Sequence, residues 1–152
     1  MNIVLYEPEI HSNTGNISRT CAITGTVLHL IKPLGFSLED KYLKRAGLDY
    51  WEHLDLRIYE NYDDFLDKNK GGRYFFLSTK GERSYADVAY QENDYLVFGP
   101  ETRGLPMELM EKNWQNVCKI PMGENYRSLN LSNAAAIVLY EALRQGGFKG
   151  LK

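Results

Sequence analysis

The sequence begins with a continuous apolar run, NIVLY (Asn2–Tyr6), followed by a helical pattern over Thr14–Thr24 and a second apolar run, TVLHLI (Thr26–Ile31). Apolar runs without alternation are typical of strands that are covered on both faces. The order strand, helix, strand predicts a βαβ unit, in which the two strands are parallel and the helix packs on one side of them.

The same order recurs along the rest of the chain. The further strand candidates are LRIY (Leu56–Tyr59), YFFLS (Tyr74–Ser78), YLVFG (Tyr95–Gly99) and NVCKI (Asn116–Ile120). The further helix candidates are Leu38–Arg45, Tyr62–Asn69, Pro106–Asn113 and Leu131–Gln145. Pro106 is expected at a first helical position, and Gly25 and Gly146 just past helix ends. The pattern predicts one α/β domain over residues 1–152, with a mainly parallel sheet flanked by helices on both sides.

Composition narrows the class of protein. Of the 152 residues, 43% are hydrophobic and 25% are charged, which is ordinary for a globular domain and argues against disorder. The net charge of −2 means that a nucleic acid could be attracted only by a local basic patch. Cys21 and Cys118 are expected to be buried, reduced thiols. No apolar run is long enough to span a membrane and no signal peptide is evident, so we expect a cytoplasmic protein.

Several common motifs are absent from the sequence. It contains no GxGxxG after the first strand, no GxxxxGK[ST] and no GxSxG, which argues against a dinucleotide fold, a phosphate-loop NTPase and a hydrolase elbow. His11, His29 and His53 are scattered and no CxxC occurs, so no metal site is expected and each histidine is expected to be structural or solvated.

The first of three loops with chemical character is NTGNISRTC, which starts at Asn13. Asn13 is expected to be the N-cap of the following helix. Ile17 and Cys21, at i and i+4, are expected to face the core, whereas Asn16 and Arg19 share another face near free backbone N–H groups. Such an arrangement suits a phosphate or a ribose hydroxyl, although a capped helix with a solvated arginine explains the stretch equally well.

The second loop is LVFGPETRGLP (Leu96–Pro106). A buried strand ends at Gly99, and a turn stiffened by proline and Gly104 then holds Glu101 and Arg103. Ligands in parallel α/β sheets lie beyond the carboxyl ends of strands, so this constrained loop is interpreted as functional rather than as a plain connection.

The third loop is IPMGENYRSLNLSNAAA (Ile120–Ala136). It follows a strand and carries Arg127, Ser128 and Asn130 into the last helix, with either Asn130 or Ser132 expected as that helix's cap. The last helix is apolar on most of its circumference, which favours burial from several sides and hence a homodimer interface, unless packing on the sheet alone covers it.

The three loops together resemble the signature motifs of the SpoU branch of the SPOUT class of RNA methyltransferases, which methylate ribose 2′-hydroxyls with S-adenosylmethionine. The stretches NIVLYEPEIHSNTGNISRTCA, RAGLDYW, FGPETRGLP and RSLNLSNAAAIVLYEA are similar to one subgroup, the tRNA (cytidine/uridine-34) 2′-O-methyltransferases. The resemblance covers nearly the whole chain. It implies a deep trefoil knot in the C-terminal part, the anticodon stem–loop of tRNA as substrate, and a homodimer formed through the first and last helices.

The resemblance also implies site residues. Its cofactor contacts fall on Leu77, Gly99, Gly104, Ile120, Ser128 and Leu129. Its catalytic positions fall on Asn13, Arg19, Glu101, Ser128 and Asn130, with Arg19 reaching the other subunit's site. The family proposal makes Arg19 a base, but a guanidinium stays protonated to a pKa above about 12, so binding of a phosphate and polarisation of the hydroxyl is an equal alternative.

RNA contacts are expected from basic and aromatic side chains. The candidates are Lys41, Lys44, Arg45, Lys80, Arg83, Arg103, Arg127 and Tyr140. Binding should be modest and steeply dependent on salt. Three other functions stay open on the sequence alone: the same chemistry on another RNA, a non-catalytic RNA-binding protein with this fold, and an unrelated α/β nucleotide-binding module.

Overall fold

The computed structural model describes residues 1–39 and 50–152. Most of the predicted helix Leu38–Arg45 lies outside these residues, and Leu38 and Glu39 lie in a turn.

The described residues form one seven-stranded sheet with helices on both faces. The strands are β1 (Asn2–Tyr6), β2 (Val27–Ile31), β3 (Leu56–Tyr59), β4 (Tyr74–Leu77), β5 (Arg83–Ser84), β6 (Tyr95–Phe98) and β7 (Val117–Lys119). The helices are α1 (His11–Thr24), α2 (Tyr62–Lys68), α3 (Met107–Lys112) and α4 (Leu131–Gln145). The sheet order is β3-β2-β1-β6-β4-β7-β5, and every pairing is parallel. The predicted α/β class and parallel sheet are confirmed.

Six of these strands follow the predicted runs, with ends that agree or differ by one residue. The seventh strand, β5, was not predicted from the sequence. It has two residues and pairs Arg83 with Cys118 and Ser84 with Lys119 at the sheet edge. Two residues are too short for any hydrophobic period to mark a strand.

Both faces of the sheet are buried because successive side chains of a strand point to opposite sides. Ile3 and Leu5 of β1 pack with Ile17 and Cys21 of α1, as predicted, in a core that also includes α4. Val4, between them, packs on the other face with side chains from α2 and α3. This double coverage explains why the strands contain continuous apolar runs.

Two helix starts differ from the prediction. Helix α1 begins at His11, three residues before the predicted Thr14, with Ile10 rather than Asn13 at the N-cap. Helix α3 begins at Met107, so Pro106 is its N-cap residue rather than its first helical residue. The C-terminal expectations are confirmed, because Gly25 caps α1 in the left-handed region at φ 66° and Gly146 directly follows α4.

Parallel strands place all their carboxyl ends at one edge of the sheet. The four central strands β1, β6, β4 and β7 are neighbours in the sheet order, so the loops after them meet at that edge. Helices α1 and α4 pack beside each other on one face and begin at the same edge. The three loops with chemical character are thereby brought together.

Candidate functional site

A cavity of about 680 Å³ opens at the carboxyl ends of β4, β6 and β7. All six predicted cofactor contacts border it, namely Leu77, Gly99, Gly104, Ile120, Ser128 and Leu129. The side chains of Leu77, Ile120 and Leu129 form apolar wall, while Ser128 adds a hydroxyl. The volume lies within the range of small-molecule and cofactor sites, which are mostly apolar with a few convergent polar groups.

The loop between β6 and α3 is shaped by two glycines. A Cβ on Gly99 would lie 2.4 Å from the backbone nitrogen of Leu105 and 2.5 Å from the carbonyl carbon of Gly104, so only glycine allows the loop to fold back on itself here. Gly104 adopts φ +68°, and its N–H donates to the carbonyl of Pro100 at 2.9 Å. The constraint predicted for this loop therefore has a specific cause, which is a tight return that exposes bare backbone to the cavity.

The carboxylate of Glu101 caps α1 from across the sheet edge. It accepts hydrogen bonds from the backbone N–H groups of Glu9 at 2.7 Å and Ile10 at 3.1 Å, and from Nδ2 of Asn13 at 3.5 Å. An anionic acceptor at a helix N-terminus satisfies free N–H groups and complements the helix dipole. The prediction that Asn13 is the N-cap is wrong, because α1 begins at His11 with Ile10 at the N-cap, and Asn13 is instead a buried residue of the first turn.

Two further contacts fix the loop after β6 to the loop after β1. The carboxylate of Glu9 accepts from the N–H of Thr102 at 3.0 Å and from its hydroxyl at 2.8 Å, and these bonds lower the pKa of Glu9. Arg103 forms an ion pair with Glu7 at 3.0 Å. The sequence reasoning missed Glu7, Glu9 and Thr102, although an acidic turn directly after the first strand was a signal for them.

Asn130 joins the last helix to the first. Its Oδ1 accepts from the N–H groups of Ser132 and Asn133 at 2.9 and 3.3 Å. Of the two predicted caps, Asn130 and Ser132, Asn130 is therefore confirmed as the cap of α4. Its Nδ2 donates to Oδ1 of Asn13 at 3.1 Å. Of the predicted catalytic residues, Asn13, Glu101, Ser128 and Asn130 border the cavity.

Arg19 stands apart from this group. Its guanidinium lies 4.9 Å from the ring centroid of Tyr50 and donates to the Tyr50 hydroxyl at 3.4 Å, and it does not line the cavity of its own chain. The predicted position of Asn16 and Arg19 beside free N–H groups is wrong, because α1 starts at His11 and Arg19 lies two turns into the helix.

The predicted RNA contacts divide into three groups. Lys80, Arg103 and Arg127 line the cavity. Arg83 lies elsewhere and donates to the carbonyl of Asp87, and Tyr140 is 42% exposed on α4. Lys41, Lys44 and Arg45 lie outside the described residues.

The histidines and cysteines form no reactive cluster. Cys21 and Cys118 are both buried. His29 is fully buried between Tyr59 and Asn2, a structural position as expected. Among residues 1–39 and 50–152, no group of three ligating side chains could hold a metal ion. Within the same ranges, no helix has both the length and the apolarity needed to cross a bilayer.

The chain is similar to known methyltransferases along its whole length. It is 57% identical to the tRNA (cytidine(34)-2′-O)-methyltransferase of Saccharophagus degradans, with 99% of each chain covered. A solved structure that gives insights into the 2-OH methylation of C/U34 on tRNA matches with a TM-score of 0.92 at 49% identity, covering 96% of this chain and 95% of that one. The SpoU methyltransferase AviRb of Streptomyces viridochromogenes, solved with AdoMet, shares the fold, with a TM-score of 0.85 at 22% identity over all of this chain and 59% of its own.

The model of the SpoU rRNA methylase family matches residues 1–140. That match includes the loops after β1, β6 and β7 that border the cavity. The family-model match and the relative at 57% identity agree on the family of this chain. This chain belongs to the SpoU methylase family.

Proposed function

We propose that this protein transfers a methyl group from S-adenosylmethionine to the ribose 2′-hydroxyl of the wobble nucleotide, C34 or a modified U34, of tRNA. The observation that carries the proposal is one shared cavity: the predicted cofactor contacts and four of the five predicted catalytic residues border it together. The substrate follows from the relative of Saccharophagus degradans and from the solved structure concerned with C/U34, both of which match nearly the whole chain.

The cavity fits the proposed cofactor in size and chemistry. A volume of about 680 Å³ accommodates a nucleoside with an amino-acid tail. Leu77, Ile120 and Leu129 can flank a planar base, and the bare backbone of Gly99 and Gly104 offers polar groups at close range. When bound, S-adenosylmethionine supplies an electrophilic methyl group on a positively charged sulfur.

The remaining residues orient the ribose. Ser128 lies exposed at the cavity wall, where its hydroxyl can bond a ribose oxygen. Glu101 is already engaged by two backbone N–H groups and Asn13, so its role is to position the first turn of α1 rather than to accept the substrate's proton. Asn13 and Asn130 transmit that position to α4 through their mutual hydrogen bond.

Arg19 binds RNA phosphate and polarises the attacking hydroxyl. As the 2′-oxygen is methylated, its proton passes to solvent water, and a neighbouring positive charge favours the ionised form of the hydroxyl. A guanidinium remains protonated at neutral pH, so it serves as a fixed charge rather than as a base. Arg19 does not line the cavity of its own chain. This role therefore requires Arg19 to reach the cavity of another copy.

A homodimer meets that requirement. The residues Ser12, Asn16, Arg19 and Ile23 form one exposed or half-exposed stripe of α1, and Asn133, Ile137, Tyr140 and Arg144 form an exposed stripe of α4 at the same spacing. Ile23 is 50% exposed and Tyr140 42%, which is unusual for large apolar side chains on two adjacent helices. Pairing of these two stripes between copies would bury them and bring Arg19 to the other subunit's cavity.

The trefoil knot and the cytoplasmic location belong to the same proposal. The knot follows from membership of the SPOUT class, in which the C-terminal segment threads a loop. The location follows from the substrate, because tRNA is modified and used in the cytoplasm.

The deciding experiment maps ribose methylation by mass spectrometry in tRNA from a strain that lacks this protein. We expect nucleotide 34 of a subset of tRNAs to lose its 2′-O-methyl group and to regain it when the wild-type gene is returned. Methylation that is unchanged at nucleotide 34 and lost from another nucleotide would contradict the substrate and support a different RNA target. Calorimetry with S-adenosylmethionine tests the cofactor separately, since a nucleotide-binding module of another kind would not bind it.

A further inference from the structure

A second cavity, of about 420 Å³, lies beside the first. The two share Thr79, Ile120, Met122 and Arg127, so the second cavity adjoins the cofactor contacts. Its other walls are formed by the end of β7, at Lys119, and by the short turn that contains Gly123 and Tyr126. Ile120 and Arg127 have roles above, but Lys119, Gly123 and Tyr126 do not.

The most unusual feature of this cavity is Tyr126. Its side chain is 76% exposed, the largest exposure among the large apolar and aromatic side chains of the described residues. The turn orders the backbone here, because the N–H of Tyr126 donates to the carbonyl of Gly123 at 3.3 Å. One edge of the ring lies near Gly123, where a Cβ would be 3.3 Å from ring carbon Cδ2. Most of the ring faces solvent.

The cations at this cavity have no carboxylate partner among the described residues, whereas several other cations do. Arg57, Arg73, Arg103 and Arg144 are each paired with a carboxylate. Within residues 1–39 and 50–152, Lys119 and Arg127 have no ion-pair partner, and neither does Lys80 on the wall of the first cavity. One carboxylate, Glu124, is on the same turn, but it is exposed and does not line the cavity.

An exposed aromatic ring that borders the same cavity as two cations without carboxylate partners has the chemistry of a single-stranded nucleic acid site. Bases that are unstacked from their neighbours stack on aromatic side chains, and Lys or Arg holds the adjoining phosphates. In a chain of net charge −2, such an arrangement supplies the local basic patch that RNA binding requires.

We propose that the second cavity receives a nucleotide next to the one that is methylated, with its base stacked on Tyr126 and its phosphate held by Lys119 and Arg127. The inference rests on the proposed function, because the first cavity must contain the reacting ribose for this position to be its neighbour. It adds a contact that selects splayed, single-stranded RNA over a helix.

The test uses anticodon stem–loops of tRNA with 2-aminopurine placed at the nucleotide before or after position 34, because the fluorescence of this base falls when it stacks. With the wild-type protein we expect quenching at one of the two positions. Tyr126→Phe should keep it, whereas Tyr126→Leu and Tyr126→Ala should abolish it and raise the KM for RNA about tenfold. The KM for S-adenosylmethionine should not change. Glu124→Ala, on the same turn, is the matched control and should keep the quenching.

The phosphate contact has its own measurement. Lys119→Ala should lower the slope of log affinity against log salt by about one unit, and Lys112→Ala, which removes an exposed cation that lines neither cavity, should not. Quenching that survives Tyr126→Ala, or a Tyr126 effect on the cofactor KM alone, would overturn the proposal. If the wild-type protein failed to methylate nucleotide 34 but still quenched through Tyr126, the proposed function would fail and the RNA contact would stand.

Discussion

Nδ2 of Asn130 lies 3.1 Å from Oδ1 of Asn13, so that one amide pair connects the first turn of α1 to the cap of α4 across 117 positions of sequence. The other polar atom of each side chain, Nδ2 of Asn13 and Oδ1 of Asn130, also forms hydrogen bonds. Asn13 donates to Glu101, and Asn130 accepts from the first N–H groups of α4. A loop after β6, the first helix and the last helix are thus held by a continuous chain of hydrogen bonds along the cavity.

The first prediction separates the two roles of Asn130. Asn130→Asp keeps an oxygen for the α4 cap but loses the donor to Asn13, so we expect nearly wild-type stability and at least a tenfold loss of kcat. Asn130→Ala removes both roles and should also lower the free energy of unfolding by about 1 kcal/mol. Urea unfolding and methyl-transfer kinetics measure the two effects. Equal kinetic parameters for Asn130→Asp and the wild type would show that the Asn13 contact has no catalytic consequence.

The second prediction concerns Glu101 as a helix cap. Glu101→Ala leaves the N–H groups of Glu9 and Ile10 without their acceptor, and the free energy of unfolding should fall by about 1–2 kcal/mol. Hydrogen exchange should become faster at the N–H groups of Glu9 and Ile10, directly before α1, and not in α2. Glu108→Ala is the control, since that exposed carboxylate pairs with Lys112 of the same helix, α3.

The third prediction compares two glycines of the same loop. A Cβ at Gly99 would collide with backbone at 2.4 Å, whereas at Gly104 nothing lies within 4 Å and only the φ of +68° opposes a side chain. Gly104→Ala should therefore cost about 1–2 kcal/mol of stability. Gly99→Ala should cost more and should weaken cofactor binding, because the loop must open. Thermal denaturation and calorimetry on both variants check the order, which would be wrong if Gly104→Ala were the more damaging.

The fourth prediction tests whether the site is shared between subunits. Arg19 is exposed, and among residues 1–39 and 50–152 its side chain contacts Tyr50, so Arg19→Ala should fold and dimerise normally but lose methyl transfer. When Arg19→Ala and Asn130→Asp proteins are mixed and allowed to exchange subunits, half of the dimers carry one intact site. We expect recovery of about a quarter of the wild-type activity. Recovery would not occur if Arg19 served the cavity of its own chain.

The fifth prediction is a pH dependence of stability. Burial lowers the pKa of His29 from 6.5 to about 4, with a smaller contribution from Arg57. Nε2 of its ring faces Oδ1 of the Asn2 side chain and Nδ1 faces the hydroxyl of Tyr59, so the neutral ring already uses both nitrogens. Charging it would turn the Nδ1 acceptor into a donor, so the O–H of Tyr59 would lose its acceptor.

Because the unfolded chain binds this proton below about pH 6.5 and the folded protein only near pH 4, the unfolded state binds more protons within that window. The free energy of unfolding should therefore fall as the pH is lowered from 6.5 to 4, by about 3 kcal/mol in total. Urea titrations at a series of pH values measure this. His29→Gln should flatten the curve in the window, whereas His53→Gln, at an exposed site, should leave it as in the wild type.

The sequence predicted those parts of the structure that depend on local pattern. β1, β3 and α4 begin and end at the predicted residues, because a buried strand or helix must be apolar over its own length. The meeting of the three loops could also be predicted, since parallel strands share one carboxyl edge.

The start of α1 could not be predicted in this way. Asn13 has the side chain of a good N-cap, but the N-cap is Ile10, whose N–H bonds to Glu101, 91 positions further along the chain, and no local pattern predicts such a contact. That shift of three residues also moved Arg19 away from the helix end. The position of Tyr126 was missed for a similar reason, because its support is the bare backbone of Gly123 rather than any motif.

The cap from Glu101 also has a consequence for how the protein is made. Chains are synthesised from the N-terminus, so residues 1–39 leave the ribosome well before Glu101 has been added. Until then the N–H groups of Glu9 and Ile10 and the side chain of Asn13 lack the carboxylate that they bond in the folded protein. The hydrogen bonds at the start of α1, and with them the cavity that it borders, are completed only after the central strand β6 has been translated.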